Sequence, residues 1–269
     1  MGLVGKESPV MTSKEAWRAL AERIIVKAKL IFDTSTVFET EKGTQDPKVW
    51  ALAILARNIS NAESALILLD NERLVEARTL VRCCYENFFC SAALTKTGDE
   101  FIKTMELDDA ANRKRHAKTL LEWTDKQEEK PGFAEQLARF AEDMDMEHPK
   151  TPTLNHKKNA VDGTIKDAYV FYQVLSNDSA HPSVRSLSRY ITWDSEGDDA
   201  QFTISAGPTD EPGEVEETLE FVCSVALGVC VAANEALGGT DSGERLWTLS
   251  EEYRTLSNIS KANRDRAKG

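Results

Sequence analysis

Histidine is scarce in this chain: four in 269 residues, at His116, His148, His156 and His181. No two of them stand one helical turn apart and there is no H-E-x-x-H motif, which removes the usual helical metal site. Asp145-Met-Glu-His148 is a single imitation of a di-iron Glu-x-x-His half-site, and Pro149 breaks the helix beside it. No metal and no cofactor are expected. Cysteine is thin as well. Cys83, Cys84, Cys90, Cys223 and Cys230 are odd in number, form no C-x-x-C pair and fall inside predicted helices. They read as five thiols, buried small hydrophobes in a reducing compartment. Phosphate-cradling loops (G-x-x-x-x-G-K-[ST] or G-x-G-x-x-G) and the G-x-S-x-G elbow are missing too. Basic charge is in deficit: 33 Lys and Arg against 45 Asp and Glu give a net charge of -12, which excludes a globally basic nucleic-acid binder but not a local basic pocket. No apolar run reads as a membrane span, residues 222–233 being interrupted and short, and the first ten residues lack a signal-peptide core. The expectation is a cytoplasmic protein without membrane contact.

What is present is helix. Thr12 and Glu15 form a capping box, after which Trp17, Leu20, Ile24 and Ile31 share a face, predicting a helix to about residue 38. Asp46 and Pro47 start a second helix that ends near residues 70–71. A third is predicted over 72–97, with Leu74, Ala77, Val81, Cys84, Phe88 and Ala92 on the core-facing arc. Arg78, Tyr85 and Phe89 flank that arc, with Arg82 and Glu86 beyond them at i,i+4 spacing. A charged helix follows over 99–129, and a short one carries Phe133, Leu137, Phe140 and Met144. The charged helix holds the dense basic run Asn112-Arg-Lys-Arg-His-Ala-Lys118, which as a bare pattern reads as a solvated face. After Pro182 the period changes: residues 190–193 and 201–205 predict one β-hairpin. Two further helices, the second carrying Leu246, Trp247, Tyr253 and Leu256, complete the chain. The reading is all-α: a multi-helix bundle with one small β-hairpin insertion, a leader over 1–11, a single domain over 12–260 and a polar tail over 261–269.

Potential chemistry concentrates over residues 169–190. Tyr169, Tyr172, Leu175, Ser176 and Ser179 recur at helical steps, and proline pushes the preceding residue out of the helical region. His181, before Pro182, is therefore expected at the end of a buried aromatic helix, beside Ser176, Asn177 and Asp178. A histidine there serves either as a proton-transfer group or as a cap on the last free carbonyls. Arg78 and Arg82 likewise serve either to bind an anion or to form packing ion pairs with residues such as Glu86.

The segment Ser176-Asn-Asp-Ser-Ala-His181 resembles the motif of HEPN domains, in which an arginine, a polar residue, three further residues and a histidine lie on one helix. Tyr172 and Leu175 match the aromatic and leucine positions that commonly precede it. Here Ser176 stands in place of the arginine. Over roughly residues 50–195 the chain is also similar to a group of uncharacterised bacterial helical proteins, through the stretches 76–86 and 175–182. The HEPN resemblance implies a metal-independent ribonuclease, often a toxin or phage-defence effector, acting as a homodimer. It would place His181 at the proton transfers and a guanidinium on the phosphate, taken from Arg82 or Arg78, or from Arg185 or Arg189. Asn177 and Ser176 would complete the site, supported by Glu86, Tyr172 and Asp178. The alternative is a non-catalytic helical module that binds RNA, a nucleotide or a partner protein through the same pocket.

Overall fold

The computed structural model describes residues 12–37, 40–124, 131–147, 153–177, 182–194, 201–239 and 242–267. It is an all-α bundle with one antiparallel hairpin, as its periodicities predict. The first helix, α1 (Ser13–Thr34), opens on the expected box: Thr12 accepts from the Glu15 amide at 3.3 Å, and the Glu15 carboxylate accepts from the Thr12 amide at 2.8 Å. It ends short of residue 38, because the Ser35 hydroxyl takes the Ile31 carbonyl at 2.6 Å and the Ser35 backbone turns extended. Asp46 caps α2 (Pro47–Asp70), with the proline in its first turn.

The bundle is built around α3 (Leu74–Thr97), which packs against α2 on one side and α9 (Glu214–Ala236) on another. Being clasped from several sides, it buries a wider arc than a one-faced helix. Tyr85 and Phe89, expected as flanks, are fully buried, whereas Phe88, expected in the core, is only partly covered. Trp17, Leu20, Ile24, Leu55, Leu74, Val81, Leu219 and Val222 fill the core between α1, α2, α3 and α9. Both α2 and α9 are long and apolar enough to cross a membrane, contrary to the sequence expectation. Part of their apolar surface faces the bundle: Leu55 and Ala62 on α2, and Leu219, Val225 and Val229 on α9, are shut from solvent, while Ile67 and Val231 are exposed. All five cysteines are free thiols, and burial pushes Cys90 and Cys230 up to about 12, so neither is a ready nucleophile.

Two helices, α4 (Asp99–Thr124) and α5 (Pro131–Glu147), pack on each other. The single helix expected up to residue 181 is instead broken into α6 (His156–Asp162) and α7 (Ala168–Leu175). The break falls at Gly163 and Thr164. A Cβ on Gly163 would lie 2.5 Å from the Ala92 side chain, and Thr164 after it takes φ 61°. The second piece is also less buried than expected: Leu175 is in the core, but Val170 and Phe171 are exposed. Beyond Pro182 a short helix, α8 (Val184–Ser188), begins on a capping box between Ser183 and Ser186. The hairpin follows, β1 (Ile191–Asp194) pairing with β2 (Gln201–Ile204) so that Trp193 faces Phe202. The last helix, α10 (Gly243–Ala267), continues through much of the expected polar tail. Arg264 reaches Glu220 at 3.1 Å and Ser260 accepts from the Trp17 indole at 3.0 Å, so tertiary bonds hold a stretch that its composition alone would let fray.

Candidate functional site

Arginine positions on α3 one turn apart face different neighbours. Arg82 points to α7: its Nε donates to the Ser176 hydroxyl at 3.1 Å, and one Nη donates to the Tyr172 hydroxyl at 3.3 Å. The same Nη lies 2.9 Å from the Glu86 carboxylate, and the guanidinium carbon sits 5.4 Å from the Tyr172 ring centre. The Tyr172 hydroxyl in turn donates to Glu86 at 3.3 Å. Ser176 and Asn177 are where the helix loosens into π geometry, a distortion that often accompanies functional sites. Arg82, Glu86, Tyr172 and Ser176 are thus brought together. Asn177 is exposed, and its carbonyl accepts from the Ser183 hydroxyl at 2.9 Å, which draws α8 up to the end of α7. Asp178 and His181 lie outside the described residues.

Arg78 does not join this cluster. It is buried, 2% exposed, and turns toward the start of α9, donating to Glu217 at 3.1 Å and to the Thr218 hydroxyl at 3.3 Å. Glu214, 3.9 Å from the same nitrogen, is gripped by Arg189 through both carboxylate oxygens. Burial works against ionising Glu214, but Arg189, the Glu211 amide and Arg78 hold its carboxyl below the usual range. The two arginines therefore fasten the chain on either side of residues 178–181. Arg82 holds Ser176 before them, and Arg78, through Glu214, holds Arg189 after them.

The structure adds a residue that periodicity did not single out. His156, the first residue of α6, stands with its Nε2 3.9 Å from Glu86 and its ring 5.7 Å from that of Tyr172. Asn155 caps this helix by accepting from the Lys158 amide at 3.0 Å. The backbone just before it is fixed by Asp108 on α4, which accepts from the Leu154 amide at 2.7 Å. The only local signal is that N-cap; nothing nearby in sequence ties His156 to Glu86. Burial lowers the imidazole pKa, Glu86 raises it, Arg82 lowers it and Asp108 raises it; the net direction is down. A histidine with a lowered folded pKa holds fewer protons than the unfolded chain, so its contribution is intact above about pH 6.5 and is lost as pH falls through the folded value. Replacing His156 with glutamine should flatten the fall in melting temperature between about pH 7 and pH 5. Parallel curves for the two proteins would show that the buried imidazole does not resist protonation.

The arrangement offers a guanidinium with a fixed orientation, a carboxylate, a phenol, a hydroxyl and a largely neutral imidazole within one turn of α3 and two short helices. No group of three or more metal-ligating side chains exists among the described residues. Comparison with curated proteins and with solved structures gives no match. A family model, DUF5677, described as a family of unknown function, matches residues 48–200, more than half of the chain, from the start of α2 past β1. That span includes Arg82, Glu86, His156, Tyr172 and Ser176, so the site lies within the family's shared segment, and the protein belongs to the DUF5677 family.

Proposed function

We propose that the Arg82 cluster is the phosphate-binding half of a metal-independent endoribonuclease site of HEPN-like type. One observation carries this reading: Arg82 bonds to the hydroxyl of Ser176, the position where the HEPN motif has its own arginine. A guanidinium from α3 bonded to that serine supports reading Arg82 as the substitute for the motif's arginine. Its planar fork suits a phosphate, whose charge grows as the transition state forms. In the reaction a base takes the proton of the ribose 2'-hydroxyl, and the freed oxygen attacks phosphorus. The bond to the 5'-oxygen breaks, and that oxygen takes up a proton, leaving a 2',3'-cyclic phosphate and a 5'-hydroxyl. His181 carries proton transfer in this reading. His156, kept largely neutral by burial, suits the accepting role beside it. A homodimer acting as a toxin or phage-defence effector in the cytoplasm belongs to the same proposal.

A second reading has its own support. Glu86, Tyr172 and Ser176 engage Arg82 together, as they would in a clamp that only shapes a surface for RNA, a nucleotide or a partner protein. Incubating purified wild type and His181→Ala with total RNA in EDTA separates the two. The nuclease should release fragments ending in 2',3'-cyclic phosphate, and His181→Ala should release none at an unchanged melting temperature. A wild type that leaves RNA whole both in the tube and when overexpressed, together with a destabilised His181→Ala, would favour the binding module.

A further inference from the structure

The basic run on α4 is unused by the site, yet it starts at the site's edge. Asp108, which holds the backbone before His156, also accepts from the Asn112 side-chain amide at 3.1 Å. From Asn112 onward, Arg115, His116, Thr119 and Trp123 recur at three- and four-residue steps and so share one face of the helix. Most of that face turns outward: buried Ala110 and Ala117 lie on the opposite side, and buried Ala111 lies at its flank, between Arg115 and Lys118 in projection. Arg115 and His116 are exposed, and Trp123 is 58% exposed, a large apolar ring outside the core cluster of the described residues. Lys118 is exposed at one edge of the stripe, Arg113 at the other pairs with Asp109 at 2.7 Å, and Arg115 donates to the Asn112 side-chain oxygen at 2.9 Å. Between Ala110 and Leu121 the sequence has no acidic residue, in a protein whose net charge is -12.

We infer that this stripe is a track for single-stranded RNA leading away from the Arg82 cluster, an inference that rests on the ribonuclease reading. The partner follows from charge and ring together. Arg115 and Lys118 are placed to meet successive phosphates, and Trp123 presents a π face on which an unpaired base stacks. The span from Asn112 to Trp123 is about 16 Å at the helical rise, enough for a few nucleotides. An acidic protein segment would use the cations and leave the tryptophan without a function, and a duplex would keep its bases away from the ring.

The test uses the full chain and a fluorescein-labelled oligouridylate with 2'-O-methyl riboses, which binds but cannot be cleaved by 2'-hydroxyl attack. Arg115→Ala/Lys118→Ala should weaken binding and lower the slope of log affinity against log salt by about 1.4, two phosphate contacts at roughly 0.7 each. Trp123→Ala should cost on the order of tenfold in affinity and leave the salt slope unchanged, because stacking releases no counterions. Wild-type affinity and slope in both variants, no binding by the wild type, or equal binding of a polyglutamate chain would overturn the track. Cleavage of unmodified RNA, scored in parallel, keeps the two ideas apart. A wild type that binds through these residues but never cuts removes the nuclease and keeps the track. A wild type that cuts while the variants bind normally does the reverse.

Discussion

If the proposed ribonuclease reading holds, Arg82→Lys is expected to slow RNA cleavage by roughly a hundredfold, while the protein's melting temperature moves by no more than a few degrees. Lysine keeps the charge and still pairs with Glu86, so the electrostatics of the half-buried site survive. What it lacks is the fork. Arg82 uses Nε for Ser176 and one Nη for both Tyr172 and Glu86, a planar arrangement that aims the guanidinium along the end of α7. An ammonium on a flexible stem meets these partners one at a time and presents no flat face to a phosphate. The loss should therefore lie in turnover, and the fold should persist, since lysine keeps the charge that pairs with Glu86. Cleavage rates for the two proteins on one RNA substrate, with melting curves, decide the matter. Equal rates would mean that Arg82 is a packing residue. A large fall in melting temperature would mean that the cluster is structural first.

The second large effect concerns the other arginine. Arg78→Ala should destabilise the protein by about 3 kcal/mol, because it empties a fully buried site and removes the bonds to Glu217 and to the buried Thr218 hydroxyl. For a chain of this size that corresponds to a fall of roughly 10 °C in melting temperature. The guanidinium is 2% exposed, and it serves Glu217, the Thr218 hydroxyl and the edge of Glu214 together. Arg78→Met, which fills the space without the charge, should cost less than alanine. Glu214 retains Arg189, and Glu217 is partly in solvent. Denaturant melts of the three proteins measure this directly. If alanine costs under about 1 kcal/mol, the network is not a structural anchor. Because the bonds described for Arg78 lead to α9, cleavage per folded molecule, on the ribonuclease reading, should change little at low temperature. A loss of cleavage as deep as that of Arg82→Lys would show that holding Arg189 is itself needed for the site.

The chain's own residues, read in order, determine where helices start and which class of fold results. The Thr12–Glu15 box, the Asp46-Pro47 start and the alternating strands around Trp193 and Phe202 are each written within a few positions, because caps, proline and strand period act through neighbours in sequence. The same local logic placed Arg82 and Glu86 together on one flank of α3. It could not see that position 163 has no room for a side chain, because the reason is Ala92, on another helix. Nor could it divide the labour of Arg78 and Arg82. That was settled by Glu217, 139 positions from one, and Ser176, 94 positions from the other. His156 came to Glu86 only when α6 docked on α3, and nothing in its immediate sequence announces the meeting. Helix ends are decided by backbone groups and side chains a turn away. A site assembled from α3, α6 and α7 is decided by which apolar faces pack, and only the folded chain fixes that.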